Sequence, residues 1–171
     1  AGMIGIAKVL LQKGYKISGS DISDSQELKK LRNDGAKVYI GHSEKNISGS
    51  DLLVMSSAID KKNPEIVKAI KDSITIIPRA EMLGSIMIGY ESIAVAGSHG
   101  KTTTTSMIAK IFSVSNLSPT YVVGGRVLST NENSDLGDGN YLVADDDESD
   151  GSLTHLQPDL AVLTNIDDWL L

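Results

Sequence analysis

Between residues 93 and 105 the chain reads IAVAGSHGKTTTT: an apolar run, a turn bounded by glycines, then a lysine and four threonines. The apolar run predicts a buried strand, and the following SMIAKIF (residues 106–112) has helical spacing. Strand, glycine turn and helix N-terminus together make a place for phosphate. Backbone N–H groups of the turn and of the first helical turn point at the anion, and the positive end of the helix dipole favours it. On this reading Gly97, Ser98, His99, Gly100, Lys101, Thr102 and Thr103 line a nucleotide loop. Lys101 reaches the outer phosphates and stands as an exposed charge until it does so, while the Thr102 hydroxyl ligates magnesium.

The spacing is not the common one. The pattern G-x-x-x-x-G-K-[ST] needs glycine at position 95, where this chain has Val95. The first glycine is Gly97, so the loop is two residues shorter. A glycine turn with a chance lysine is the bland alternative, but it leaves four threonines at a helix start unexplained, since threonine is a mediocre helix former. Further on, an apolar run at 141–144 ends in Asp145, Asp146, Asp147 and Glu148, with Asp150 close behind. Ligands of open parallel sheets bind beyond the carboxyl ends of the strands, which puts this acidic run and the loop on one edge. Carboxylates facing a threonine hydroxyl and phosphate oxygens suit magnesium. A solvated acidic loop is the alternative.

The elements that must position these groups follow from composition and pattern. With 171 residues, 40% of them apolar and only 4% aromatic, the chain can build a core mainly from Ile, Leu, Val and Ala. A net charge of −6 without a basic run argues against a nucleic-acid or anionic-membrane partner. No apolar stretch is long enough to span a bilayer. The absence of cysteine removes disulfides and thiolate metal sites and fits a cytoplasmic setting.

Short strands and amphipathic helices alternate along the chain. The pattern predicts a helix after Gly2, strands at 15–20, 37–40, 51–55 and 74–77, and helices over 24–34, from Asn63 and from Pro78. A second series follows, with strands at 93–96, 120–123, 141–144 and 160–163, and with 126–140 as a polar loop. The fold expected is α/β: a Rossmann-like parallel-sheet unit at residues 1–88, lacking its first strand, then a second unit with its own phosphate loop at 89–171. Asp21 ends the second strand of the first unit, where such folds hold ribose hydroxyls, although a capping or turn role fits it as well. His42 follows a strand end beside Gly41, Ser56 and Ser57 read as hydroxyl contacts at another, and His155 reads as structural. No Ser-His-Asp nucleophile arrangement is visible.

The GSHGKTTT loop, together with AGMIGIA at 1–7, SGSD at 18–21, SSAI at 56–59, NPE at 63–65 and PRAEML at 78–83, resembles the Mur ligases. GGR at 124–126, YLVA at 141–144, DESDGS at 147–152, LQP at 156–158 and TNID at 164–167 continue the resemblance. It implies an ATP-dependent amide ligase of peptidoglycan synthesis using ATP and magnesium, with 89–171 as part of a P-loop-type ATP-binding domain. Within the family the motifs are most like the branch that joins L-alanine to UDP-N-acetylmuramate. A sister branch attaching a recycled peptide, or a nucleotide-binding module without ligase activity, are the alternatives. The resemblance places Lys101 and His99 in catalysis. It places magnesium on Thr102 and on Asp145, 44 positions beyond Lys101, with Glu148 as a helper. Asp145 stands where the family carries glutamate, one methylene or about 1.5 Å longer. The UDP end is expected near Gly2, Asp21, His42 and Ser56, and the muramyl end near Glu148, Ser149 and Asp150. The family also calls for an Asp-His pair after TNID, whereas this chain reads Asp168-Trp169-Leu170-Leu171.

Overall fold

The computed structural model describes residues 2–127, 132–145 and 156–166. The first half runs α1 (Gly2–Gln12), β1 (Ser18–Asp21), α2 (Gln26–Asn33), β2 (Lys37–Ile40), a 3-10 turn (Glu44–Ile47), β3 (Leu52–Met55), α3 (Pro64–Lys71), β4 (Thr75–Pro78) and α4 (Arg79–Met87). The second runs β5 (Glu91–Ala96), α5 (Lys101–Val114), β6 (Thr120–Val127), β7 (Glu132–Asp135), β8 (Tyr141–Asp145) and β9 (Leu160–Leu163). Local chemistry sets the helix starts. Ser25 caps α2 by accepting from the Leu28 N–H, and Asn63 caps α3 ahead of Pro64.

The fold is mixed α/β with parallel-strand sheets, as the alternation predicts. The main sheet has the order β7-β6-β8-β5-β9, parallel except for β7. Its inner strands are buried on both faces, so their residues sort by parity. Ala94, Val122, Leu142 and Ala144 face Ile6 and Val9 of α1 and Leu83, Ile86 and Met87 of α4. Ile93, Tyr121, Val123 and Val143 face Ala109, Ile108 and Phe112 of α5.

Two features differ from the sequence reading. First, 126–140 is not all loop: β6 runs on to Val127, and β7 pairs antiparallel with it. The sequence ENSD has no apolar signal. The strand is held by backbone pairing, by the Lys8 ammonium on the Ser134 carbonyl at 3.0 Å, and by α1 lying over fully buried Ser134. Second, the first half does not form one sheet. β1 pairs in parallel with β2, and β3 with β4, as two separate pairs. Its helices α1 and α4 contribute instead to the core of the main sheet. Ile6 and Val9 are 2% and 0% exposed, and burying each such side chain is worth about 1.5–3 kcal/mol. Gly5 permits the contact, since a Cβ there would lie 3.1 Å from Val122 Cγ1.

At the outer side of the sheet, the Asp159 carboxylate accepts from the Ser92 N–H at 2.8 Å and the Ser92 hydroxyl at 2.9 Å, fixing the start of β9 against β5. These bonds hold the Asp159 carboxyl below the usual carboxylate range. A depressed pKa contributes stability that is present above the unfolded value and lost as pH falls through the folded one. Thermal melts taken down through the acid range should show Asp159→Asn losing less stability than the parent. Identical slopes would remove the clamp.

Candidate phosphate-loop site

The strand, turn and helix centred on residue 97 occur as the pattern predicts. β5 ends at Ala96, and the chain turns through Gly97 (φ 123°) and Gly100 (φ 82°) into α5. Both glycines have left-handed backbone that a side chain would strain. Gly97 has a second constraint: a Cβ there would sit 2.2 Å from Thr164 Oγ1 and 2.9 Å from the Asn165 backbone. Gly100 offers no capping side chain, and the first intrahelical bond is Thr104 N–H to Gly100 carbonyl at 2.9 Å. The N–H groups of the first helical turn therefore face outward at the positive end of a helix running Lys101–Val114.

Around the turn the side chains are placed by specific bonds. The Lys101 ammonium donates to the Gly97 carbonyl across the loop, and the residue is half-buried. This corrects the expectation of an exposed charge: the amine has a short-range acceptor at the loop mouth. Thr102 Oγ1 donates to Asp145 Oδ2 at 3.0 Å, and the Gly124 N–H donates to Asp145 Oδ1 at 2.6 Å. Burial raises the Asp145 carboxyl above its ordinary range, against the opposing pull of the Gly124 and Thr102 hydrogen bonds and the Arg79 charge. The threonine run has a partly structural cause. Thr105 is fully buried and bonds back to the Lys101 carbonyl at 2.9 Å. Thr103 is exposed, and Ser98 is buried in the turn.

His99 is held by its backbone and is exposed. Its N–H donates to Asn165 Oδ1 at 2.9 Å, and its carbonyl accepts from Asn165 Nδ2 at 2.9 Å and Thr164 Oγ1 at 2.6 Å. Asn165 and Thr164 were visible in sequence only as part of TNID. Their partners lie 65 or more positions away, and nothing local announces the contact.

The remaining candidates fall into separate places. Asp21 ends β1 and His42 follows β2 on the same strand edge, since β1 and β2 are parallel and paired. Asp21 accepts from the Ser23 N–H at 3.0 Å, the turn role that its sequence position also allowed. Ser20 Oγ donates to Glu65 Oε2 at 2.6 Å, so its oxygen accepts from His42 Nδ1, 3.0 Å away. Glu65 is 8% exposed and also accepts from Asn46 Nδ2 at 2.6 Å and the Ser43 N–H at 3.3 Å. One buried carboxylate thus fixes the ends of β1 and β2 to the start of α3. Sequence reasoning had seen Glu65 only as a letter of NPE. Ser56 makes a local turn with the Ala58 N–H at 3.4 Å. Gly2 opens α1 beside Arg79, whose Nη1 would lie 3.3 Å from a Cβ at Gly2. Arg79 is 6% exposed, and its charge also acts on Asp145. Glu148, Ser149, Asp150, His155 and the 168–171 end lie outside the described residues. Among the described residues no group of three or more His, Cys, Asp or Glu could hold a metal. Thr102 and Asp145 offer two hard oxygen ligands, which suits an ion that takes few protein ligands.

A mostly parallel sheet whose inner strand β5 feeds a glycine turn and a helix N-terminus defines an α/β protein of the phosphate-loop type. Two family models place it more closely. "Mur ligase family, catalytic domain" matches residues 1–91, and "Mur ligase middle domain" matches residues 95–168. The chain belongs to the Mur ligase family, whose members are ATP-dependent amide ligases. UDP-N-acetylmuramate–alanine ligase from Thermotoga maritima is similar at 30% identity and TM-score 0.88, over 98% of this chain and 40% of that one. The UDP-N-acetylmuramate:L-alanyl-γ-D-glutamyl-meso-diaminopimelate ligase from Neisseria meningitides matches at 25% identity and TM-score 0.87, over 96% of this chain and 57% of that one. A murein peptide ligase from Psychrobacter arcticus, at 23% identity and TM-score 0.85 over 97% of this chain and 42% of its own, shares the fold. The chain therefore spans between 40% and 57% of the length of these ligases. Among the described residues no helix is long and apolar enough to cross a membrane.

The raised Asp145 carboxyl has a stability consequence. A carboxyl raised on folding contributes stability below its unfolded pKa and loses it as pH rises through the folded value, so the charged form is a burden near neutrality. Asparagine fits the same place, because the Thr102 hydroxyl can accept as well as donate. Asp145→Asn should therefore melt higher than the ligand-free parent at about pH 8, with the gap closing towards about pH 4. A lower melting temperature at the alkaline end would contradict the burial argument.

Proposed function

We propose that this chain is the ATP- and UDP-sugar-binding part of a cytoplasmic ligase joining L-alanine to UDP-N-acetylmuramate in peptidoglycan precursor synthesis. The observation that carries the reading is the Thr102–Asp145 pair at the mouth of the β5–α5 turn. There magnesium would neutralise phosphate charge, with water and phosphate supplying its other ligands. A carboxylate oxygen of the sugar nucleotide attacks the γ-phosphorus of ATP and ADP leaves. The amine of L-alanine then attacks the acyl carbon and phosphate leaves. The protein's part is positioning and charge neutralisation. Lys101 and the N–H groups of the loop and the first turn of α5 hold the β- and γ-phosphates, and His99 sets the loop through its peptide. Gly2, Asp21, His42 and Ser56 take the UDP end, with Glu65 fixing His42, and Glu148, Ser149 and Asp150 face the muramyl end.

A sister activity on a recycled peptide is the second reading, because the peptide and alanine ligases match the fold almost equally, with TM-scores of 0.87 and 0.88. The higher identity to the alanine enzyme, 30% against 25%, and the PRAEML, SSAI and DESDGS stretches favour alanine.

Phosphate release by the full-length protein should require both UDP-N-acetylmuramate and L-alanine. Dependence on a tripeptide instead would give the sister activity, and no release with either would leave a binding module. Lys101→Ala should abolish turnover and cost about 1 kcal/mol of stability through the lost bond to Gly97. An unchanged turnover number would remove the lysine from the site.

Metal dependence separates the acidic residues. Asp145→Asn should raise the magnesium requirement at saturating ATP by about tenfold or more, since only one or two protein carboxylates bind this ion. Glu148→Gln should have little effect, and Asp145→Glu should keep or improve the rate. The reverse order of effects would move the ligand to Glu148.

A further inference from the structure

We infer that Asn165 is a positioning residue for the phosphate loop, acting through the His99 peptide; this rests on the nucleotide-binding reading above. Only four residues, Gly97–Gly100, separate β5 from α5. So short a turn has little backbone with which to brace itself, and the structure braces it from outside. The Asn165 side-chain amide meets the His99 residue in both directions, accepting from its N–H and donating to its carbonyl, each at 2.9 Å. Thr164 reinforces the contact through the Ala96 carbonyl at 3.1 Å and the His99 carbonyl at 2.6 Å. Gly97 lies flush against both residues, leaving no room for a Cβ.

The residue type is specified by this pairing. One planar group must offer a donor and an acceptor side by side, which asparagine does and aspartate does not. An aspartate would keep the acceptor for the His99 N–H but would set a charged oxygen against the His99 carbonyl. The geometry also divides labour within the loop. The His99 N–H is committed to Asn165, and the anion is left to the N–H groups nearer the start of α5. Asn165 therefore fixes which donors face the phosphate. The position of β9, which carries Thr164 and Asn165 just past its end, sets the shape of the loop.

The test compares parent, Asn165→Ala, Asn165→Asp and Thr164→Val for binding of a non-hydrolysable ATP analogue with magnesium and, separately, of UDP-N-acetylmuramate. Hydrogen exchange of the His99 amide is followed alongside. Both Asn165 variants should bind the ATP analogue about tenfold more weakly or worse, equivalent to about 1.4 kcal/mol. Their affinity for the UDP-sugar should stay within about twofold, and the His99 amide should exchange faster. Thr164→Val should show a smaller loss of the same kind. If Asn165→Ala does not fold, Asn165→Asp, which keeps one of the two bonds, reads the same effect. Unchanged analogue affinity overturns the inference, as does a parallel loss of both ligands, which would mark Asn165 as structural only. Failure of the parent itself to bind the analogue overturns the nucleotide reading and the inference with it.

Discussion

A Cβ at Gly97 would lie 2.2 Å from Thr164 Oγ1, so the chain can make this turn only with a bare backbone pressed on the end of β9. The site depends on that contact. Because Gly97 is flush with Thr164 and Asn165, the His99 peptide comes within reach of both side chains, and the Gly97 carbonyl faces back towards the Lys101 ammonium. The turn then delivers α5 with its first N–H groups outward and Thr102 against Asp145. Each of these placements would shift if the backbone moved by the size of a methyl group.

Packing ties this turn to the other half of the chain. One face of the main sheet is covered by α5, and the other by α1 and α4, which come from the first half of the sequence. The two spans matched by the family models meet between residues 91 and 95, yet a single core crosses that point. Arg79 is the polar counterpart of this shared core. It lies beside Gly2 at the start of α1, and its charge acts on Asp145 at the end of β8. The charge of this buried guanidinium gives the two halves an electrostatic link as well as an apolar one.

Much of the fold was legible because the inner strands are continuous apolar runs and the helices carry local caps, as Ser25 and Asn63 show. The short loop and its following helix were legible for the same reason: glycine, lysine and threonine announce themselves locally. β7 was not, because ENSD carries no apolar period and owes its strand to β6 and to the cover of α1. The separate pairing of β1–β2 and β3–β4 was also hidden, since sequence shows strands but not which of them join. Within the site, Glu65, Arg79, Thr164 and Asn165 were seen as motif letters without roles, because their partners are remote in sequence. The threonine run was over-read in one respect. Thr105 serves its own helix, and only Thr102 reaches the carboxylate.

The central claim is that a nucleotide and its metal meet the chain where Thr102 and Asp145 now bond each other. Crystals grown with a non-hydrolysable ATP analogue and manganese in place of magnesium test it directly through the anomalous signal of the metal. The account predicts a metal peak beside Thr102 Oγ1 and the Asp145 carboxylate, with the triphosphate in the Gly97–Thr103 turn. A triphosphate bound away from the Gly97–Thr103 turn, or a metal peak away from both Thr102 and Asp145, would contradict it.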